Sequence, residues 1–366
     1  MPSALTLRAG PRALALIRER GLRLDDVDIF PGASGGAKWL AIAGLDRYLF
    51  GTFLRQPSTD ASASASAPAR VRPLHCIGSS IGSWRMACLA QRDPVAALAR
   101  GHHAYIYTQR YSPKPGPREV TQVLTRCLDD ILGAHGVDEI LSHPFARLHI
   151  ITAQGRGLAT SQRRLVLATS IALAVTANLV QRRSLSLQFR RTVFHGEGDT
   201  SPFAQLRDLP TTHRALTRDN LRDALIASGS IPLLVEGGRI AGRPGEVHWD
   251  GGVLDYHLDL DFGSGDGLVL YPHFYPHVVP GWFDKSLPWR RARAKNFERA
   301  LLIAPSPEFV ASLPGGKIPD RRDFHAFPSE ERERRWQTVL DASAQLGDEL
   351  HELIATGRVA EHIHPW

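Results

Sequence analysis

Cysteine is scarce in this chain of 366 residues: Cys76, Cys88 and Cys127 are all it has, an odd number without C-x-x-C spacing. That argues against a disulfide framework or a cysteine zinc site and for a reducing compartment. Long apolar runs are also lacking. The most apolar stretch, LVLATSIALAVTANLV at 165–180, is broken by Thr169, Ser170, Thr176 and Asn178. It is shorter than the ~20 residues that span a bilayer. The opening MPSALTLRAGPRALALIRERG places Arg8, Arg12 and Arg18 where a secretory leader needs an apolar core, and it reads as a short amphipathic helix. A cytoplasmic protein is the expectation. Lysine is rare, with five against 39 arginines, although the net charge is +7. No zinc-finger, RNA-recognition or helix-turn-helix signature accompanies that charge, so no nucleic-acid partner is expected. The excess of arginine reads as compositional bias, or as attraction to anionic membranes.

What is present is ordinary globular material, 43% hydrophobic and 22% charged, enough for one large domain or two smaller ones. The Ala/Ser-rich QPSTDASASASAPARVRP (56–73) reads as a mobile loop, since it offers nothing to bury. On either side the pattern is the same, strand then glycine turn then helix: VDIFPGASGGAKWLAIAGLDRYLF before it and VRPLHCIGSSIGSWRMACLAQ after it. The first predicts a helix over 38–50, with Ala37, Leu40, Ala41, Gly44, Leu45 and Tyr48 facing a sheet. ARLHIITAQGRG and LSLQFRRTVFHGEG read as further strands, RDNLRDALIASGSIPLLVE as a helix ending near Pro232, and EVHWDGGVLDY as a strand ending in a Gly-Gly turn. Strands alternating with helices predict an α/β layer fold with a mainly parallel sheet. The last third offers an aromatic, Pro-rich irregular segment (270–290) and one long amphipathic helix over 329–355. The division expected is a core over 1–262, with an apolar helical insert at about 160–184, and a C-terminal extension over 263–366 packed on it.

Three pieces carry chemistry. In GSSIG, Gly78 and Gly82 flank Ser80 at the spacing of a nucleophile elbow, where a sharp turn between strand and helix exposes the serine. A polar turn is the plainer reading. In GASGGAK (32–38), Gly35 and Gly36 stand at the mouth of a helix, where backbone N–H groups can stabilise an oxyanion, and Lys38 adds positive charge. The loop fits neither the phosphate-loop nor the dinucleotide spacing. In HWDGGVLDYH (248–257), Asp250 precedes Gly251-Gly252 at a strand end, where its carboxylate can serve as a base for Ser80; His248 lies on the same strand face.

In this order the pieces resemble the patatin-like lipid acyl hydrolase family over roughly residues 25–262. Ser34-Gly35-Gly36-Ala37-Lys38 matches its glycine-rich motif, Gly78-Ser79-Ser80-Ile81-Gly82 its elbow and Asp250-Gly251-Gly252 its D-G-[GA] turn. ALIASGSIPLLVE is similar to the family's helix with Ala-Ser and then Pro. The resemblance implies a three-layer α/β/α fold, a Ser80–Asp250 dyad, oxyanion donors around Gly35, Gly36, Ala37 and Lys38, and no metal or other cofactor. The implied activity is hydrolysis of lipid or other acyl esters. The alternatives are a lipid-binding or regulatory protein with little turnover, and an acyltransferase working through the same acyl-enzyme. Two departures stand out: the glycine motif, where Ser34 and Trp39 stand in place of glycine and Trp39 is expected to narrow the space beside the loop, and the apolar segment 165–180. The apolar segment 165–180, flanked by Arg163, Arg164, Arg182 and Arg183, is read as a buried helix or as a peripheral contact with anionic lipid.

Overall fold

A computed structural model describes residues 3–56, 72–196, 201–263 and 265–366. The expected Ala/Ser loop lies, but for its ends, outside the described residues.

The strands are β1 (Leu5–Ala9), β2 (Val27–Gly32), β3 (Leu74–Ser79), β4 (Ala146–Gly155), β5 (Phe189–His195), β6 (Thr211–Ala215), β7 (Gly238–Ile240), β8 (Arg243–Asp250), β9 (Leu268–Pro272), β10 (Ala300–Pro305) and β11 (Ile363–Pro365). The helices are α1 (Pro11–Arg20), α2 (Ala43–Gly51), α3 (Ile81–Leu89), α4 (Pro94–His103), α5 (Pro117–Leu132), α6 (Gly136–Leu141), α7 (Arg164–Val180), α8 (Leu221–Ser228), α9 (Pro307–Ser312), α10 (Asp323–Ala326), α11 (Ser329–Ala342) and α12 (Ala344–Ala355). Among the described residues eleven strands join one sheet, ordered β11-β1-β10-β9-β2-β3-β4-β5-β6, with the β7–β8 hairpin attached to β4 through β8. Its centre, β10-β9-β2-β3-β4, is parallel throughout. Every residue of β9 and β10 is buried, as is nearly every one of β2 and β3, so helices cover both faces of the sheet. The expected α/β fold, three layers around a mainly parallel sheet, is present.

Several details differ from the expectations. The opening residues form a strand, β1, before α1, because LTLRA alternates while the helical spacing begins only at Pro11. The segment read as irregular from 270 begins inside β9, and β9 and β10 lie between β2 and β1, so the sheet runs through both the expected core and the expected extension. The helix expected over 38–50 is a 3-10 stretch, Gly36–Ile42, followed by α2. The helix expected over 329–355 is two, α11 and α12, breaking at Ser343. There the Gly44 N–H donates to the Ser343 hydroxyl at 2.8 Å, and a Cβ on Gly44 would stand 2.1 Å from the Ser343 carbonyl oxygen. The contact between α2 and this junction is therefore backbone against backbone.

Candidate active site

The site lies at the carboxyl ends of β2, β3 and β9. The sheet reverses its direction of growth between β2 and β9, since β3 and β4 follow on one side of β2 and β10 on the far side of β9. A crevice opens at such a point in a parallel sheet. The glycine loop leaves β2 there, and the ring of Phe274, just past β9, occupies the space a Cβ on Gly35 would need, 2.6 Å away.

Strand pairing brings Ser80 and Asp250 together. Strand β4 pairs with β3 as far as Ser79, opposite Ile151. From Thr152 it pairs with β8, beginning at Asp250. Since β5 occupies the other edge of β4 over Ile150–Gly155, β3 and β8 share one edge and meet end to end. Ser80 follows the end of β3 and Asp250 is the end of β8. The Ser80 hydroxyl donates to Asp250 Oδ2 at 2.7 Å, and the Gly252 N–H donates to Asp250 Oδ1 at 2.7 Å.

Ser80 sits at φ 56°, ψ −131°, a conformation that costs a residue with a side chain roughly 1–3 kcal/mol. Its surroundings hold it there. The Ser80 N–H donates to the Ser228 hydroxyl at 2.9 Å, and that hydroxyl donates to the Ile151 carbonyl at 2.7 Å and contacts Ser83 Oγ at 2.9 Å. Two residues on, the Ser230 carbonyl accepts the Asp250 N–H at 2.8 Å. The end of α8 and the turn after it thus grip both halves of the pair. Sequence reading passed over Ser228 and Ser230; the similarity of ALIASGSIPLLVE was the only signal pointing there. The helix α3 begins directly after Ser80, so its unpaired first N–H groups lie beside the hydroxyl.

Two glycines at the junction have no room for a side chain. A Cβ on Gly82 would lie 1.8 Å from the Gly32 carbonyl oxygen, because α3 crosses the end of β2 in backbone contact. A Cβ on Gly251 would lie 2.3 Å from the Ile151 carbonyl oxygen and 2.7 Å from Ser79 Oγ. Gly78 meets the first turn of α3, and Gly252 meets the Ser34 side chain.

The glycine loop is fastened to the same place. Ser34 Oγ donates to Ser79 Oγ at 2.9 Å, and the Ser34 N–H donates to the Tyr256 carbonyl at 2.8 Å. Ser34 therefore ties the loop to the residue before Ser80. Gly35, Gly36 and Ala37 open the 3-10 turn, whose first N–H groups have no acceptor within it. Gly36 takes φ 55°, and the Tyr105 hydroxyl stands 3.3 Å from where its Cβ would be. Trp39 does not crowd this side: it is fully buried, its ring 4.5 Å from His102 and 5.6 Å from Tyr105. His248 is separate from the pair, bonded to Thr152 Oγ1 at 2.8 Å and near Glu246 at 3.2 Å.

Ser80 and Asp250 are 9% and 6% exposed, so the pair is sunk in the protein. Burial raises the Asp250 carboxyl to about 6; the Ser80 and Gly252 hydrogen bonds, then Lys285 and Arg321, hold it from rising further. A carboxylate of this kind is mostly ionised at neutral pH and still basic enough to accept a proton. Lys38, at the end of the loop, is pulled below the ordinary lysine range, first by burial.

Across the end of the sheet, α7 packs on a second apolar cluster that includes Trp249, Val253 and Leu254. Its other face is open, with Leu165, Leu173, Leu179 and Val180 exposed. No helix among the described residues is long and apolar enough to cross a membrane.

No family model matches the chain, and no curated protein matches it in sequence. Among solved structures it is similar to VipD from Legionella pneumophila at 12% identity and a TM-score of 0.33, over 95% of this chain and 70% of that one.

Proposed function

We propose that this chain is a serine-dependent acyl ester hydrolase of the patatin-like kind. The observation that carries the reading is the 2.7 Å hydrogen bond from a strained, glycine-flanked Ser80 to a buried carboxylate. In this reading Ser80 Oγ attacks the ester carbonyl while its proton passes to Asp250. The carbonyl oxygen becomes an oxyanion facing the N–H groups of Gly35 and Gly36 and the start of α3. Collapse breaks the bond to the alkoxide, which takes the proton from Asp250 and leaves an acyl-serine. Water then attacks the acyl carbon, Asp250 accepts its proton, and the acid departs as the proton returns to Ser80.

A fluorophosphonate probe tests the first step. The expected result is one covalent adduct, mapped by mass spectrometry to Ser80 and absent from Ser80→Ala. A folded protein that takes up no probe at Ser80 contradicts the reading. The exposed apolar face of α7 favours a second one, lipid binding without turnover. That predicts salt-sensitive association with anionic liposomes, indifferent to Ser80→Ala, and no ester cleavage above background.

A further inference from the structure

We propose that the outer face of α7, with the arginines at both its ends, is the surface by which this protein lies on an anionic lipid bilayer. The assignment stands on that face alone and holds with or without turnover at Ser80.

A helix on the surface of a protein normally turns charged residues to water. From Leu165 to Val180, α7 has none. Its inner face is fixed to the fold. Leu167 and Ala174 belong to the apolar cluster with Val253 and Leu254, Ser170 Oγ donates to Gln188 Oε1 at 2.7 Å, and Asn178 Nδ2 donates to Asp284 Oδ1 at 2.8 Å. Its outer face carries Leu165, Leu173, Leu179 and Val180, the first and last of them 83% and 88% exposed. Thr169 and Thr176 are exposed too, and each returns its hydroxyl to a carbonyl of its own helix at 3.0 Å. The face is therefore apolar along its length between the arginines.

Seven of the eleven large apolar side chains exposed among the described residues fall within the stretch from Leu158 to Leu187. Two more border it. Leu234 lies on the turn leading to Gly237, whose N–H donates to Gln162 Oε1 at 2.9 Å; Trp289 adjoins Arg290, whose guanidinium donates to the Asn178 carbonyl at 2.7 Å. Scattered exposed leucines need no explanation, but a gathering of them about one helix marks a contact surface.

Charge decides what covers it. Arg163 and Arg164 begin the helix and Arg183 follows its end, all three exposed. Arg163 and Arg164 stand at the positive end of the helix dipole, where cations weaken a helix, so helix stability does not place them there. Between Glu139 and Glu197 the sequence has eight arginines and no acid. Asp284, under the helix, is buried, and the rim carries Glu236 beside Gly237. A second copy of this chain is a poor cover. With arginines at both ends of α7, two such faces meet arginine to arginine whether the helices run parallel or antiparallel. Anionic headgroups over acyl chains match both parts, the leucines reaching the chains and the arginines the headgroups. Held by its inner face, α7 lies along such a surface and does not cross it.

Co-sedimentation of the full chain with vesicles tests this, using phosphatidylcholine alone and phosphatidylcholine with an equal part of phosphatidylglycerol. The wild type should bind the mixed vesicles about a hundredfold tighter than the neutral ones, and lose most of that difference in about 0.5 M salt. Leu173→Gln combined with Leu179→Gln should weaken binding to the mixed vesicles about tenfold or more. Arg163→Gln, Arg164→Gln and Arg183→Gln together should weaken it about a hundredfold. Leu141→Gln on α6 and Arg334→Gln on α11, equally exposed but outside the face, should change nothing. Circular dichroism checks that every variant folds. No binding to the mixed vesicles, or equal binding to both kinds, overturns the proposal, as does binding that the α7 variants and the two controls weaken alike. A wild type that self-associates in sedimentation velocity, and ceases to in the leucine variant, gives the face to a second copy and overturns it too. Fluorophosphonate labelling of Ser80, run in parallel, should be equal in wild type and variants. Failure to label would sink the esterase reading and leave the vesicle results to decide the docking face.

Discussion

Asp250 works against the fold that carries it. Its carboxyl titrates near 6 in the folded chain and near 3.8 when free of it. A raised pKa means that the native state binds the proton more tightly. The stability this provides is full below about 4 and is lost as pH rises through about 6. Above that, the buried charge destabilises the protein by roughly 2–3 kcal/mol, at 1.36 kcal/mol per pKa unit. Asp250→Asn removes the charge and can still accept the Gly252 N–H. The variant should melt several degrees above wild type at pH 8 and close to it at pH 4, while ester hydrolysis drops about 10²- to 10⁴-fold. Thermal unfolding at the two pH values, alongside hydrolysis rates, checks both halves. Coincident melting at pH 8 would mean that the carboxylate is not strained by its burial.

Between elements, the elbow depends on how closely α3 can cross β2. The crossing is backbone on backbone at Gly82 and Gly32, with no space for even one methyl group. Gly82→Ala should cost more than about 3 kcal/mol or prevent folding, because neither partner is a side chain that could turn aside. A variant with unchanged denaturant midpoint would show that the helix can lift away. Such positions were legible in the sequence because glycine at fixed spacing marks a need for close approach, and GSSIG and DGG both announced one. The pairing of Ser80 with Asp250 was legible only as an order of motifs; the end-to-end meeting of β3 and β8 along β4 decides it. Other features gave no local signal. The short continuous apolar runs of β9 and β10 fit a buried strand and a buried helix segment equally. The break at Ser343 is imposed by Gly44, about 300 residues away.

At the scale of the molecule, the motifs end at Gly252 but the sheet does not. Strands β9 and β10 continue the parallel ladder from β2, and β1, first in sequence, pairs among the described residues with β10 and β11, both past residue 299. A chain ending at 262 would expose the inner edge of β2, leave β1 without a partner and strip α2 of α12. It would also lose Phe274 from behind Gly35. An unpaired, largely apolar edge of this kind invites aggregation. The fragment 1–262 should therefore accumulate as insoluble protein or give a soluble form with broad, non-cooperative unfolding, even though it contains all three motifs. Expression of the fragment beside the full chain, followed by solubility, thermal unfolding and fluorophosphonate labelling, decides the matter. A cooperative fragment that still labels at Ser80 would show that the three motifs suffice to build the elbow, and would make the last hundred residues an accessory to substrate choice alone.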